Sequence, residues 1–324
     1  MDLTTQYLGL TLNSPIVAGS SGMTNSAKKV QQLAQNGAGA VVLKSIFEEE
    51  IVFEHEDVMK EAESAGVNLD QFDYYDFHLR GKKLGAYVDL IKETKVAVSI
   101  PIIASINCVY SHEWIAFAQQ LQDAGADAIE LNMFFLPSDF NRSLADQEQM
   151  YFKIIEKLID SVSIPVSLKI SYYFTNLGQM IQRLSKTGIA GLVLFNRFFS
   201  PDIDIDKFTI KSSFVLSSPG ELALSLRWIA IMANKVDCDL AASTGVHDGD
   251  AVIKQLLAGA NTVQVASSLY RNSPAYIGEM KATLTQWMEK HKFSKLSDFR
   301  GKMSQDRSSD PAAFERVQFM KYFK

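Results

Sequence analysis

The chain has few of the residues that would commit it to several large protein classes. It has only two cysteines in 324 residues, Cys108 and Cys238. That is too few for a disulfide framework in a chain of this length, so a reducing, cytoplasmic compartment is expected. Its five histidines, His55, His78, His112, His247 and His291, are scattered without metal-ligand spacing, and no metal site is expected. No apolar run approaches the roughly 18 to 20 residues that cross a bilayer, which excludes a transmembrane helix and a membrane partner. The opening MDLTTQYLGL lacks a basic stretch followed by an apolar one, so no secretory leader is expected. Positive charge is not in excess either. Lysine and arginine number 32 against 37 acidic residues, a net charge of -5, which argues against a nucleic-acid partner held by its backbone phosphates.

What is present suits one large soluble domain. Hydrophobic residues make up 47% and charged residues 21%, enough for a substantial core and a hydrated surface. Four segments share one template, a glycine after a helix and then a run of β-formers: Gly37-AGAVVLKS, Gly125-ADAIELNM, Gly188-IAGLVLFN and Gly259-ANTVQVAS. A second template begins with proline, in Pro15-IVAGSSG, Pro101-IIASIN and Pro165-VSLKIS. With CDLAAST at 238–244 they predict eight strands, near 15–21, 40–45, 101–106, 128–133, 165–170, 191–196, 238–243 and 262–267. Amphipathic stretches such as HEWIAFAQQLQDAG and GELALSLRWIAIMAN lie between them. Alternation of eight strands and helices predicts an α/β fold of (β/α)8 TIM-barrel type over residues 1–324, with a doubly wound open sheet as the alternative. Insertions are expected at about 46–81 and 197–219, the first as a long loop over the barrel mouth and the second as a short hairpin there. An extension is expected at about 300–324, ending in a terminal helix.

In such barrels chemistry gathers at the carboxyl ends of the strands. Aligning the templates places Gly19, Lys44, Ser45, Ser105, Asn132, Met133, Lys169, Phe195, Asn196, Ala266 and Ser267 on one ring. An ammonium among apolar strands needs an anion, an electron-rich ring or a carboxylate such as Glu130, so Lys44 and Lys169 stand out. Ser243-Thr244-Gly245 and Ala266-Ser267-Ser268 are small enough to let backbone approach a phosphate, and Asp248-Gly249-Asp250 reads as the start of the seventh helix.

The ordered series NSPIVAGSSG, AVVLKS, FDYYDF, AIELNM, PVSLKI, LVLFNR, STGVHDGDAVIKQLLAGA and LSDFRGK resembles the dihydroorotate dehydrogenase family, its soluble class above all, over nearly the whole chain. The resemblance implies a flavoprotein that binds FMN across the barrel mouth, oxidises a CH–CH bond of dihydroorotate or a related dihydropyrimidine, and forms a homodimer. It implies that Gly19, Ser20, Lys44, Ser45, Asn132, Lys169, Thr244, Gly245, Ser267 and Ser268 hold the cofactor. Lys44, Asn132 and Asn196 would bind substrate, with Lys169 and Asn132 taking part in catalysis.

Where the family reads E-L-N-x-S-C-P-N, this chain reads Glu130-Leu-Asn-Met-Phe-Phe-Leu-Pro137. Phe135 cannot abstract a proton, Pro137 replaces a substrate-binding Asn, and Glu63 stands where the family has another. Ser138, Asp139, Ser143, Cys108, Tyr172 and Tyr173 are the nearby groups that could replace the base. Two other readings stay open: a flavin-binding homologue without turnover, and a Schiff-base lyase using Lys169 or Lys44.

Overall fold

The computed structural model describes residues 1–47, 72–107, 114–197, 200–213 and 215–315. Its strands are β1 (Thr5–Tyr7), β2 (Leu10–Leu12), β3 (Ile16–Ala18), β4 (Ala40–Val42), β5 (Ile46–Phe47), β6 (Ile102–Asn107), β7 (Ala128–Met133), β8 (Val166–Ile170), β9 (Gly191–Leu194), β10 (Ser200–Asp204), β11 (Thr209–Ser213), β12 (Asp239–Ala242) and β13 (Thr262–Val265). Strands β3, β4, β6, β7, β8, β9, β12 and β13 pair in parallel in that order, and β13 pairs back with β3, which closes an eight-stranded barrel. β5 continues the course of β4 beyond a break at 43–45 and pairs with β6.

The outer helices are α1 (Ala27–Gln35), α2 (Phe72–Ala97), α3 (Trp114–Asp123), α4 (Leu144–Ser161), α5 (Leu177–Ser185), α6 (Leu222–Met232), α7 (Gly249–Ala258), α8 (Ser267–Arg271) and α9 (Tyr276–Lys290). Their starts follow from capping side chains. Ser143 accepts from the Asp146 amide, Asn176 from that of Gln179, and Asp248 from that of Ala251, each satisfying a first-turn N–H that the helix itself cannot. The template glycines end helices in the left-handed region, as at Gly125 with φ of +98°.

Each barrel strand has two buried faces. Along β7, Ile129, Leu131 and Met133 join the layer shared with the helices, while Ala128, Glu130 and Asn132 alternate with them toward the barrel interior. The N-terminal hairpin β1–β2, which the sequence templates do not reveal, closes the lower end. Its Tyr7, Leu8 and Leu12 pack with Val17, Ala40, Val42, Ile103, Ala128, Val193 and Ala241 in one cluster. A Cβ at Gly191 would lie 2.6 Å from Leu8 Cδ2, so any larger residue there would force the Leu8 side chain to shift.

One expectation changes. FDYYDF lies within α2, which begins at Phe72 and so takes the last ten residues of the expected 46–81 loop. The acidic part of that loop, with Glu63, falls outside the described residues, as do Cys108 and the tail from 316 onward. Residues 197–219 hold the antiparallel hairpin β10–β11. No helix among the described residues is long and apolar enough to cross a membrane.

Candidate active site

Polar residues enter the barrel in a layer of their own above the apolar plug. Ser105 faces Glu130 across the β6–β7 ladder, and Glu130 faces Ser167 across β7–β8. Higher on β8, Lys169 opposes Asn132. The Nζ of Lys169 donates to Gln264 Oε1 at 2.9 Å and lies 3.7 Å from Glu130 Oε1. The Nε2 of Gln264 donates to Glu130 Oε2 at 2.5 Å. These three residues are 8%, 3% and 1% exposed, so the ammonium and carboxylate form an ion pair with an amide bridging them. Such a pair persists in a dry interior because each charge faces its counter-charge, although Glu130 Oε1 itself accepts no hydrogen bond. The carboxylate proposed from sequence as an alternative partner for Lys169 is thus its actual neighbour, while the ammonium also lines a cavity above it.

That cavity, about 580 Å³, opens at the carboxyl ends of the strands, within the size range of cofactor sites. Of the site residues expected from sequence, Gly19, Ser20, Lys169, Asn196, Thr244, Gly245 and Ser267 line it. Ser212 and Ser213 on β11 also line it, so the hairpin forms part of its wall. The remaining site residues sit behind or beside it. Ser45 is buried, its amide donating to Ser20 Oγ at 2.9 Å and its hydroxyl lying 2.7 Å from that of Ser105. Asn132 accepts from Asn196 Nδ2 at 2.7 Å. Lys44 is exposed at its strand end and does not line the cavity; its amide donates to the Thr24 carbonyl at 3.3 Å.

At one end of the cavity the chain leaves main-chain donors free. Among the described residues, the N–H groups of Gly245, Val246, Ser267 and Ser268 have no protein acceptor, and the buried hydroxyl of Ser268 has no partner. Gly245 has φ of +78°, and a Cβ there would lie 2.1 Å from the Leu222 amide nitrogen. Only glycine allows this loop to pass so close to the start of α6. Unpaired N–H groups of this kind suit an oxyanion, and a buried lysine further along suits an electron-rich ring. The donor set therefore fits a phosphate-bearing flavin.

Several site residues were not found by pattern reading. Arg197 lines the cavity and donates to Glu221 Oε1 at 2.7 Å and to the Val215 carbonyl at 3.0 Å. Burial alone would raise the Glu221 carboxyl, but bonds from Arg197 and Ser218 outweigh it and hold the group below its ordinary value. Gln264, in the middle of TVQV, was detectable in principle, since a lone amide in an otherwise apolar, doubly buried strand needs a partner. Ser217 and His247, joined at 2.9 Å, had no such signal because they meet only through tertiary folding.

The loop after β7 is turned to packing. Phe135 meets Tyr151 edge-on at 5.3 Å, and its amide donates to the Tyr151 hydroxyl at 3.3 Å. Ser143 is a helix cap, Asp139 pairs with Arg142 at 3.7 Å, and Ser138 bonds the Leu136 carbonyl at 3.5 Å. None of these three lines the main cavity.

A closed, parallel (β/α)8 barrel with a cavity at the carboxyl ends of its strands places the chain among the TIM-barrel proteins. The profile of the family described as dihydroorotate dehydrogenase matches residues 2–288, and the chain belongs to that family of oxidoreductases. It is 24% identical over 311 residues to the dihydroorotate dehydrogenase B (NAD(+)) catalytic subunit of Thermoplasma volcanium, covering 93% of this chain and 98% of that protein. The same-named subunit of Methanothermobacter thermautotrophicus is 23% identical, with 92% and 97% covered, and that of Pyrococcus furiosus 21%, with 93% and 98% covered.

Proposed function

We propose that the chain is an FMN-dependent oxidoreductase acting on a CH–CH bond next to a carbonyl, with dihydroorotate or a related dihydropyrimidine as the nominal substrate. The observation that carries this reading is a single cavity running from buried Lys169 to the unpaired N–H groups around Gly245 and Ser267. FMN, when bound, would supply two-electron transfer to or from the substrate. The chain's own part is to hold phosphate on those N–H groups and to place the Lys169 ammonium where negative charge develops. Asn132 and Asn196, bonded to each other, would orient ring and substrate at the strand ends. Ser20 and Ser45 would support the ring edge from β3 and the end of β4. Lys44 would reach the same mouth from its exposed strand end.

The visible spectrum of the purified protein tests this directly. Flavin bands, retained or restored by added FMN, are expected, and their absence after reconstitution would refute the proposal. Anaerobic bleaching of those bands by dihydroorotate, compared with other dihydropyrimidines, then ranks substrates. The Schiff-base alternative finds no support in the Lys169 geometry, because an ammonium shared between a carboxylate and an amide oxygen is not an amine nucleophile. A homodimer is also part of the reading. The exposed apolar side chains Ile203, Ile205, Phe208 and Ile210 on the hairpin suit a buried contact, and light scattering would give the mass.

A further inference from the structure

Beside the main cavity lies a second one of about 350 Å³ that shares Phe195, Asn196, Arg197, Ser243 and Thr244 with it. Its other wall carries two consecutive tyrosines, Tyr172 and Tyr173, just past the strand that holds Lys169. Tyr172 packs edge-on against Phe195 at 5.9 Å, and its ring centroid lies 4.6 Å from that of Tyr173. The two hydroxyls are 3.4 Å apart, and both residues are 38% exposed, so the pair connects the second cavity with water. These are the proton-bearing side chains of this wall, and the loop that holds Phe135 offers none to the main cavity.

We propose that Tyr172 is the proton donor of this site, acting in the direction of alkene reduction, with Tyr173 relaying protons from water; this rests on the flavin reading above. The substrate class is an alkene conjugated to a carbonyl. The alkene gains a hydride at one carbon, its two electrons supplied by reduced FMN, and the Tyr172 O–H delivers a proton to the neighbouring carbon. The phenolate so formed recovers its proton from the Tyr173 hydroxyl, which takes one from water. One C=C bond becomes CH–CH, and FMN ends oxidised.

The direction follows from the chemistry of a phenol. Its bond to Tyr173, then burial, then the nearby charge of Glu221 push the Tyr172 hydroxyl up to about 12. At neutral pH it holds its proton, so it can act as an acid and is a poor base for removing a C–H proton. The loss of a base at Phe135 and the presence of an acid at Tyr172 point the same way.

The test uses the FMN-loaded protein, photoreduced anaerobically and mixed with 2-cyclohexenone, fumarate or orotate in heavy water. Reoxidation by at least one alkene is expected, with solvent deuterium incorporated into the CH–CH product. Tyr172→Phe should slow that step roughly 100-fold, in line with the loss of a positioned acid, and Tyr173→Phe roughly 10-fold. Circular dichroism and FMN affinity should match the unmodified protein in both variants. A second readout needs no turnover: 2-cyclohexenone titrated into oxidised protein should shift the flavin spectrum, with binding about 5-fold weaker in Tyr172→Phe through one lost hydrogen bond. Unchanged rate and affinity in Tyr172→Phe, or reoxidation by none of the alkenes, would overturn the assignment of Tyr172 while leaving the flavin intact. A protein that takes up no FMN fails at the first spectrum and overturns the flavin reading itself.

Discussion

Lys169 and Glu130 are each stabilised by the other's burial partner, so removing one should cost more than removing both. Lys169→Met leaves a carboxylate at 1% exposure with only the Gln264 amide, and should lower stability by about 3 kcal/mol. Adding Glu130→Gln to it should recover part of that loss. Urea denaturation of the two single variants and the double variant measures the coupling; strict additivity would show that the pair does not act as a unit. Phe135 gives a different kind of prediction, because its ring is engaged with Tyr151 outside the main cavity. Phe135→Cys should cost about 1 to 2 kcal/mol through lost packing and should not raise the rate of dihydroorotate-dependent flavin reduction above that of the unmodified protein. Gain of that reaction would show that a thiol alone restores the site.

At the scale of elements, the cradle depends on how closely the loop after β12 passes the start of α6. Gly245→Ala would bring a Cβ to 2.1 Å from the Leu222 amide nitrogen at a φ of +78°. A destabilisation of more than about 2 kcal/mol is expected, with FMN affinity reduced because the N–H groups of 245 and 246 must shift. Thermal melts with and without FMN separate the two effects, and a variant with unchanged FMN affinity would remove this loop from the phosphate site. The eight strand cores were legible in the sequence because parallel strands buried on both faces are short apolar runs bounded by glycine or proline. The hairpin β1–β2 was not, since its fit beneath the barrel, against Gly191, is a contact between residues far apart in the chain.

For the molecule as a whole, the acid limb of stability has an identifiable contributor. Burial, and then the charge of Arg271, hold His247 below its ordinary value of 6.5. Its imidazole sits against the Ser217 hydroxyl, beside the mouth of the main cavity. Because the unfolded chain takes up that proton more readily, the folded state loses stability as pH falls through about 6.5 and below. Melting temperatures from pH 8 to 5 should decline, and His247→Gln should flatten that decline. An identical slope in the variant would assign the acid sensitivity elsewhere.

The order of strands and helices, the ring of polar residues at the strand ends and the absence of a base at position 135 were all set by local sequence. Periodicity and residue chemistry act over a few positions and can be read there. Tertiary structure alone decided which ring members meet. It joined Lys169 to Glu130 through Gln264, three residues from three strands that become neighbours only when the barrel closes. It sent Lys44 to the surface, placed Ser45 behind Ser20, and brought Tyr172 and Tyr173 to a cavity next to Asn196 and Arg197. Such meetings depend on strand tilt and side-chain packing across the whole barrel, which no stretch of the chain encodes by itself.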